Sequence, residues 1–175
     1  MSGSTNVYLI GPMGSGKSAV GKQLARLLRL KFYDSDTEIE RRTGVDIPYI
    51  FEKEGEAGFR ERERDVIHAL TELDGVIIAT GGGAVLSEEN RLRLSQRGRV
   101  VYLKTGVAQQ LERTRHGRQR PLLYTDDPEA KLLELMTLRA PLYESIAAVT
   151  VDTDGRQVRA VADEILQLLR DPVVS

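Results

Sequence analysis

Along this chain the apolar residues switch between short unbroken runs and helical spacing. Val7-Tyr8-Leu9-Ile10 is such a run, as expected for a strand buried on both faces. After Lys17, Val20, Leu24, Leu27 and Leu28 recur at offsets 0, 4, 7 and 8, which is one helix face. Lys31-Phe32-Tyr33 reads as a second strand, stopped by Asp34-Ser35-Asp36. Val76-Ile77-Ile78-Ala79 is a third, stopped by Thr80 and the triplet Gly81-Gly82-Gly83. Val100-Val101-Tyr102-Leu103 and Ala148-Val149-Thr150-Val151 are the fourth and fifth. Between them, Asp127 is placed to cap a helix opened by Pro128, with Leu132, Leu135 and Met136 on one side. Pro141 is expected to end or kink it, having no N–H to donate. The last helix carries Val158, Val161, Ile165, Leu168 and Leu169 on one face.

Strands alternating with helices predict a parallel sheet covered on both sides. Ligands of such sheets sit beyond the carboxyl ends of the strands. Three of the five strand ends carry unusual chemistry, and a parallel sheet would put them along one edge. With 175 residues, one domain with one core is expected, spanning about 6–170.

Charge narrows the partners. The 25 basic and 26 acidic residues nearly cancel, so no general attraction to nucleic acid or an anionic membrane is expected. Any basic site must be assembled by folding. There is no cysteine, which removes disulfides and thiolate metal sites. Neither a secretory leader nor an apolar run of the roughly 18 residues that span a membrane is visible, so a cytoplasmic protein is expected. Nothing points to a large exposed apolar face, and a monomer is expected.

Gly11-Pro12-Met13-Gly14-Ser15-Gly16-Lys17-Ser18 matches G-x-x-x-x-G-K-[ST] between a strand and a helix. With glycine near ~7% of residues, four such fixed positions arise by chance in under roughly one chain of this length in a hundred. The loop's N–H groups and the helix N-terminus suit phosphate. Lys17 brings charge to the outer phosphates, and the Ser18 hydroxyl is placed to ligate Mg²⁺. A nucleoside triphosphate is therefore expected. A GTPase would need an N-K-x-D motif, and none occurs; the D-x-x-G at Asp152–Gly155 follows the last strand, not a middle one.

The other strand ends suggest an acceptor. If the segment is extended, Asp34 and Asp36 project to the same side. One carboxylate can then read two hydroxyls. The other can orient or deprotonate an attacking hydroxyl, or hold Mg²⁺ through water. Alternatively, Asp36 merely caps the helix that follows. The glycine triplet lets backbone N–H groups approach a ligand closely, or is only a turn. The third strand lacks a metal-binding acid, which leaves Ser18, phosphates and water for the metal. The charges of Phe59-Arg60-Glu61-Arg62-Glu63-Arg64-Asp65 read mostly as a solvated helix face, with one arginine held by Glu63 as the possible exception. Residues 113–120 contain four arginines, and a basic lid over about 113–125 is expected to cover a transferring phosphate.

Together these segments resemble the shikimate kinase family, in particular its short stand-alone bacterial enzymes. Its pattern is a P-loop, D-[ST]-D, F-R-x-x-E, G-G-G, R-P-L-L and R-x-P-L-Y. Here they stand as Asp34-Ser35-Asp36, Phe59-Arg60-Glu61-Arg62-Glu63, Gly81-Gly82-Gly83, Arg120-Pro121-Leu122-Leu123 and Arg139-Ala140-Pro141-Leu142-Tyr143, in order over nearly the whole chain. The resemblance implies a three-layer α/β/α P-loop NTPase fold with a five-stranded parallel sheet of order 2-3-1-4-5 and a mobile lid. It implies transfer of the γ-phosphate of ATP, with Mg²⁺, to the 3-hydroxyl of shikimate in aromatic amino acid biosynthesis. On this resemblance, Gly14, Ser15, Gly16, Lys17, Ser18 and Ala19 bind ATP. Arg113 and Arg156 flank adenine, and Arg120 closes from the lid. Asp36 binds substrate hydroxyls in a helical region of about 35–64, and Arg60 and Arg139 bind the carboxylate. Gly82 and Gly83 add backbone contacts, Phe51 and Phe59 line the pocket, and Asp34 lies between the metal and the reacting hydroxyl. The rivals are a kinase of gluconate or of a nucleoside monophosphate, and a non-catalytic nucleotide-dependent regulator.

Overall fold

The computed structural model describes residues 6–114 and 125–170. Strands β1 (Val7–Ile10), β2 (Lys31–Asp34), β3 (Val76–Ala79), β4 (Arg99–Lys104) and β5 (Val149–Asp152) form one parallel sheet of order β2-β3-β1-β4-β5. Among the described residues, seven α-helices and a short 3-10 turn (Ala84–Leu86) connect or flank the strands: α1 (Lys17–Leu28), α2 (Ser35–Thr43), α3 (Ile47–Thr71), α4 (Glu88–Arg97), α5 (Val107–Thr114), α6 (Pro128–Ile146) and α7 (Val158–Arg170). This is the expected P-loop fold. Among the described residues no helix is long and apolar enough to cross a membrane.

Because side chains alternate along a strand, each central strand feeds two cores. Val7 and Leu9 of β1 point with Ile77, Val101 and Leu103 toward α1 and α7. Tyr8 and Ile10 point with Ile78, Val100 and Tyr102 toward α3, α4 and α6. The apolar runs of β1 and β3 are buried throughout, as a doubly covered sheet requires. Burying one such side chain stabilises by about 1.5–3 kcal/mol.

One helix face differs from expectation, and two other helices hold an irregular residue inside. On α1, Leu27 is 46% exposed, and the buried positions are Val20, Gly21, Leu24 and Ala25. The inward face is rotated toward small residues because Gly21 packs directly on the Phe32 ring, leaving no room for a side chain there. Pro141 does not end α6, which continues to Ile146. Pro141 is exposed, so the carbonyl one turn back, which it cannot bond, is on the solvent side. Lastly, α3 is broken at Gly55 (φ 71°, ψ −178°), a conformation that favours glycine. Arg62 reaches back across the break with two 2.7 Å hydrogen bonds to Glu54. The break turns Phe51 toward Phe59, ring centroids 5.0 Å apart.

Candidate active site

The order β2-β3-β1 brings the three chemically marked strand ends side by side. Thr80, just past β3, donates through both its N–H (3.1 Å) and its hydroxyl (2.9 Å) to the Leu9 carbonyl of β1. The glycine triplet is thereby fastened beside the P-loop. A cavity of about 330 Å³ opens over these ends. That volume suits a small ligand.

On one side lies the phosphate loop. Gly14 (φ 81°) and Gly16 (φ 89°) take left-handed backbone conformations that curl it into α1. Lys17 Nζ folds back onto the loop, donating to the carbonyls of Gly11 (2.7 Å) and Pro12 (2.9 Å). Ser18 donates its hydroxyl to Asp34 Oδ2. Arg113, at the end of α5, lies over the loop and donates to Gly14 O at 3.2 Å. Gly14, Gly16, Lys17, Ser18, Ala19, Asp34 and Arg113 all line the cavity. Ser15 is buried within the loop and does not.

The Asp34–Asp36 pair differs from the extended reading. Asp34 ends β2 and is itself the helix cap: its Oδ1 accepts from the N–H groups of Asp36 (2.9 Å) and Thr37 (3.2 Å). Asp36 is not the cap, because the turn begins two residues earlier and places it in the first turn of α2. Both carboxylates still line the cavity.

The rest of the cavity wall is cationic and aromatic. Arg60 and Arg139 line the cavity with Phe51, Phe59, Gly82 and Gly83. Arg60 lies over the Phe59 ring, 5.1 Å from its centroid. It donates to Glu63 Oε1 at 2.8 Å and to Glu56 at 3.2 and 3.3 Å. Burial works against its charge, but Glu63 and then Glu56 outweigh burial and raise its pKa. Burial pushes the Glu63 carboxyl up, while Arg60 and then Arg139 pull it back. Arg139 is 4% exposed, and its pKa is lowered, first by burial and further by the neighbouring Arg60. A buried and a half-buried guanidinium beside a hollow attract a small anion.

Arg156 is the one described residue among the expected nucleotide contacts, besides Ser15, that does not line the cavity. It is drawn to α7, donating to Glu164 at 2.6 Å and to Asp152 O at 2.9 Å. Arg120, with the R-P-L-L segment and most of the expected lid, lies outside the described residues. Sequence reasoning passed over Gly81, Glu63 as a cavity wall, and Tyr143. Each sat inside a noted motif, and only the folded contacts give it a place.

A P-loop at the end of β1, lining one cavity together with a pair of arginines, defines a phosphotransferase acting on a small acidic acceptor. The sequence model of the family described as "SKI: Shikimate kinase" matches residues 13–170. Shikimate kinase 1 of Yersinia pestis (strain Pestoides F) is 52% identical over 170 residues, covering 97% of this chain and 98% of that protein. The shikimate kinase from Acinetobacter baumannii, solved in complex with shikimate, is 50% identical with a TM-score of 0.94, covering 97% of this chain and 95% of its own. That from Aquifex aeolicus is 40% identical with a TM-score of 0.80, covering 94% and 95%. This chain belongs to the shikimate kinase family.

Proposed function

We propose that the chain transfers the γ-phosphate of ATP to the 3-hydroxyl of shikimate, giving shikimate 3-phosphate and ADP in aromatic amino acid biosynthesis. The observation that carries this reading is that Arg60, Arg139 and Asp36 line one cavity together with Lys17 and Ser18. Shikimate offers one carboxylate and three hydroxyls. Arginine forks match the carboxylate, and Asp36 accepts from hydroxyls. The backbone of Gly82 and Gly83 and the rings of Phe51 and Phe59 hold the rest of the ring system. A nucleotide acceptor would need room for a base and a second phosphate site, which two arginines paired for one anion do not supply.

The acceptor oxygen bonds to the γ-phosphorus as the bond to the β-bridging oxygen breaks, and the hydroxyl proton passes to solvent. The transition state is loose and spreads charge over the equatorial oxygens, so positioning and positive charge dominate. Lys17 supplies charge once phosphate replaces the loop carbonyls as its partner. Arg113 lies where it can cover the nucleotide, and Arg120 is assigned the role of closing over the phosphates. Asp34 orients the reacting hydroxyl: Oδ1 is engaged by two backbone N–H groups and Oδ2 by Ser18.

The metal centre is assigned to Ser18 directly and to Asp34 through water. The donors fit, being a hydroxyl and a carboxylate in contact at the start of the phosphate-loop helix. Mg²⁺ there would neutralise charge on the transferring phosphates. Arg139→Ala tests the acceptor site. Loss of a buried arginine facing a carboxylate weakens binding by about 2–5 kcal/mol. Shikimate turnover should collapse while ATP binding, measured by calorimetry, survives; retained turnover would sink the assignment.

A further inference from the structure

Tyr143 is 0% exposed and lies on the inward face of α6, one turn beyond Arg139. A phenylalanine would fill this site as well, since the ring stacks on Tyr102 with centroids 5.0 Å apart. Its hydroxyl is the informative atom. It donates to the Gly82 carbonyl at 2.5 Å, and the Arg139 guanidinium is close enough to act on it electrostatically. With its one proton given to Gly82, the phenol oxygen keeps its lone pairs for a neighbouring cation. Burial raises its pKa strongly, so the proton stays on the oxygen and the donation to Gly82 persists.

Gly82 stands between the two halves of the site. A Cβ added to it would lie 3.5 Å from Arg139 Nη1 and 3.4 Å from the Met13 N–H of the phosphate loop. A single hydroxyl thus holds the glycine wall, against which the acceptor guanidinium lies, next to the loop that holds the donor. We propose that the Tyr143 hydroxyl is a positioning group for the acceptor, setting the fork of Arg139 and the peptide of Gly82 in register to receive the substrate. The proposal rests on the reading of Arg139 as the carboxylate site. Arg139 has a long side chain with several rotamers. Orienting it before the substrate arrives lowers the entropy lost on binding.

Tyr143→Phe removes only the oxygen. KM for shikimate should rise about tenfold or more, with KM for ATP held within about twofold. In an Arg139→Ala background the same change should have no further effect on the residual kcat/KM for shikimate, since two groups acting as one unit are non-additive. Tyr102→Leu, which loosens the stack and keeps the hydroxyl, should not reproduce the split. Unchanged shikimate KM, equal effects on both substrates, additivity with Arg139→Ala, or the same split from Tyr102→Leu would each overturn the proposal. A measurement on the wild-type protein guards against a variant that does not fold. With ζ-¹³C tyrosine, the Tyr143 resonance should move on adding shikimate and stay put with a non-hydrolysable ATP analogue. An unmoved resonance overturns the proposal, whereas wild-type enzyme without any shikimate-dependent turnover removes the reading beneath it.

Discussion

Gly81→Ala is the smallest change that should separate acceptor from donor chemistry. A methyl group at this position would lie 2.7 Å from Asp36 Oδ1 and 2.9 Å from Glu63 Oε2, where ordinary contact begins at 3.4 Å. Each carboxylate oxygen must therefore retreat by roughly half an ångström or more, if the backbone stays in place. The backbone is tied down: Gly81 N–H donates to Ser35 Oγ at 3.0 Å, and its carbonyl accepts from Ala84 N at 3.0 Å. Nor can Glu63 give way freely, being 1% exposed and bonded to Arg60 at 2.8 Å. Overpacking of this kind destabilises by about 1–3 kcal/mol. A displacement approaching ~1 Å at a substrate-positioning group lowers rate by up to about 10²-fold. We expect kcat/KM for shikimate to fall by about ten- to a hundredfold, with KM for ATP within about twofold of wild type. Steady-state kinetics with each substrate varied, together with urea melts, would show both effects. Normal shikimate kinetics in a folded variant would refute the reasoning, because the clash would then have been absorbed away from Asp36.

Asp34→Ala removes the cap of α2 and should lower stability by about 0.5–2 kcal/mol, whereas Asp34→Asn, still a good cap, should not. Both should lose turnover, and an alanine variant as stable as wild type in urea would contradict the cap. Glu38 tests electrostatics away from the site. Arg41 holds its carboxyl below the ordinary range, with Arg42 adding to the effect. A depressed folded-state pKa stabilises above the unfolded value and is lost as pH falls through the folded one. The stability advantage of wild type over Glu38→Gln should therefore shrink as pH drops below about 4.5, the ordinary value. Urea melts across that window would show it, and an advantage that grew on acidification would contradict the pairing.

Much of the fold was legible because its signals are local. The limits of β1 and β3 follow from unbroken apolar runs, and the Asp127–Pro128 start of α6 from capping chemistry. Leu27 was misplaced because hydrophobicity alone cannot reveal that Gly21 must meet Phe32. The cap was weighed at Asp36 and not at Asp34 because the sequence does not show that the helix already begins at Ser35. The arginines of the site show the same limit. Arg60 and Glu63 are a local i,i+3 pair, so the possibility was visible. The convergence of Gly81, Asp36 and Glu63 draws on three elements, and no spacing along the chain encodes it. Tyr143 and Arg139 lie four residues apart on one helix face, yet only the folded chain shows that Tyr143 bonds Gly82, 61 residues away, with Arg139 beside the same glycine.

The central claim concerns which acceptor the paired arginines face. The most direct measurement is ADP release by the purified protein with ATP and Mg²⁺, in parallel against shikimate, gluconate, AMP, CMP and water. Shikimate alone should stimulate release well above water, with one phosphorylated product formed per ADP. Release with shikimate no faster than with water, or stimulation by gluconate or a nucleotide instead, would contradict the account.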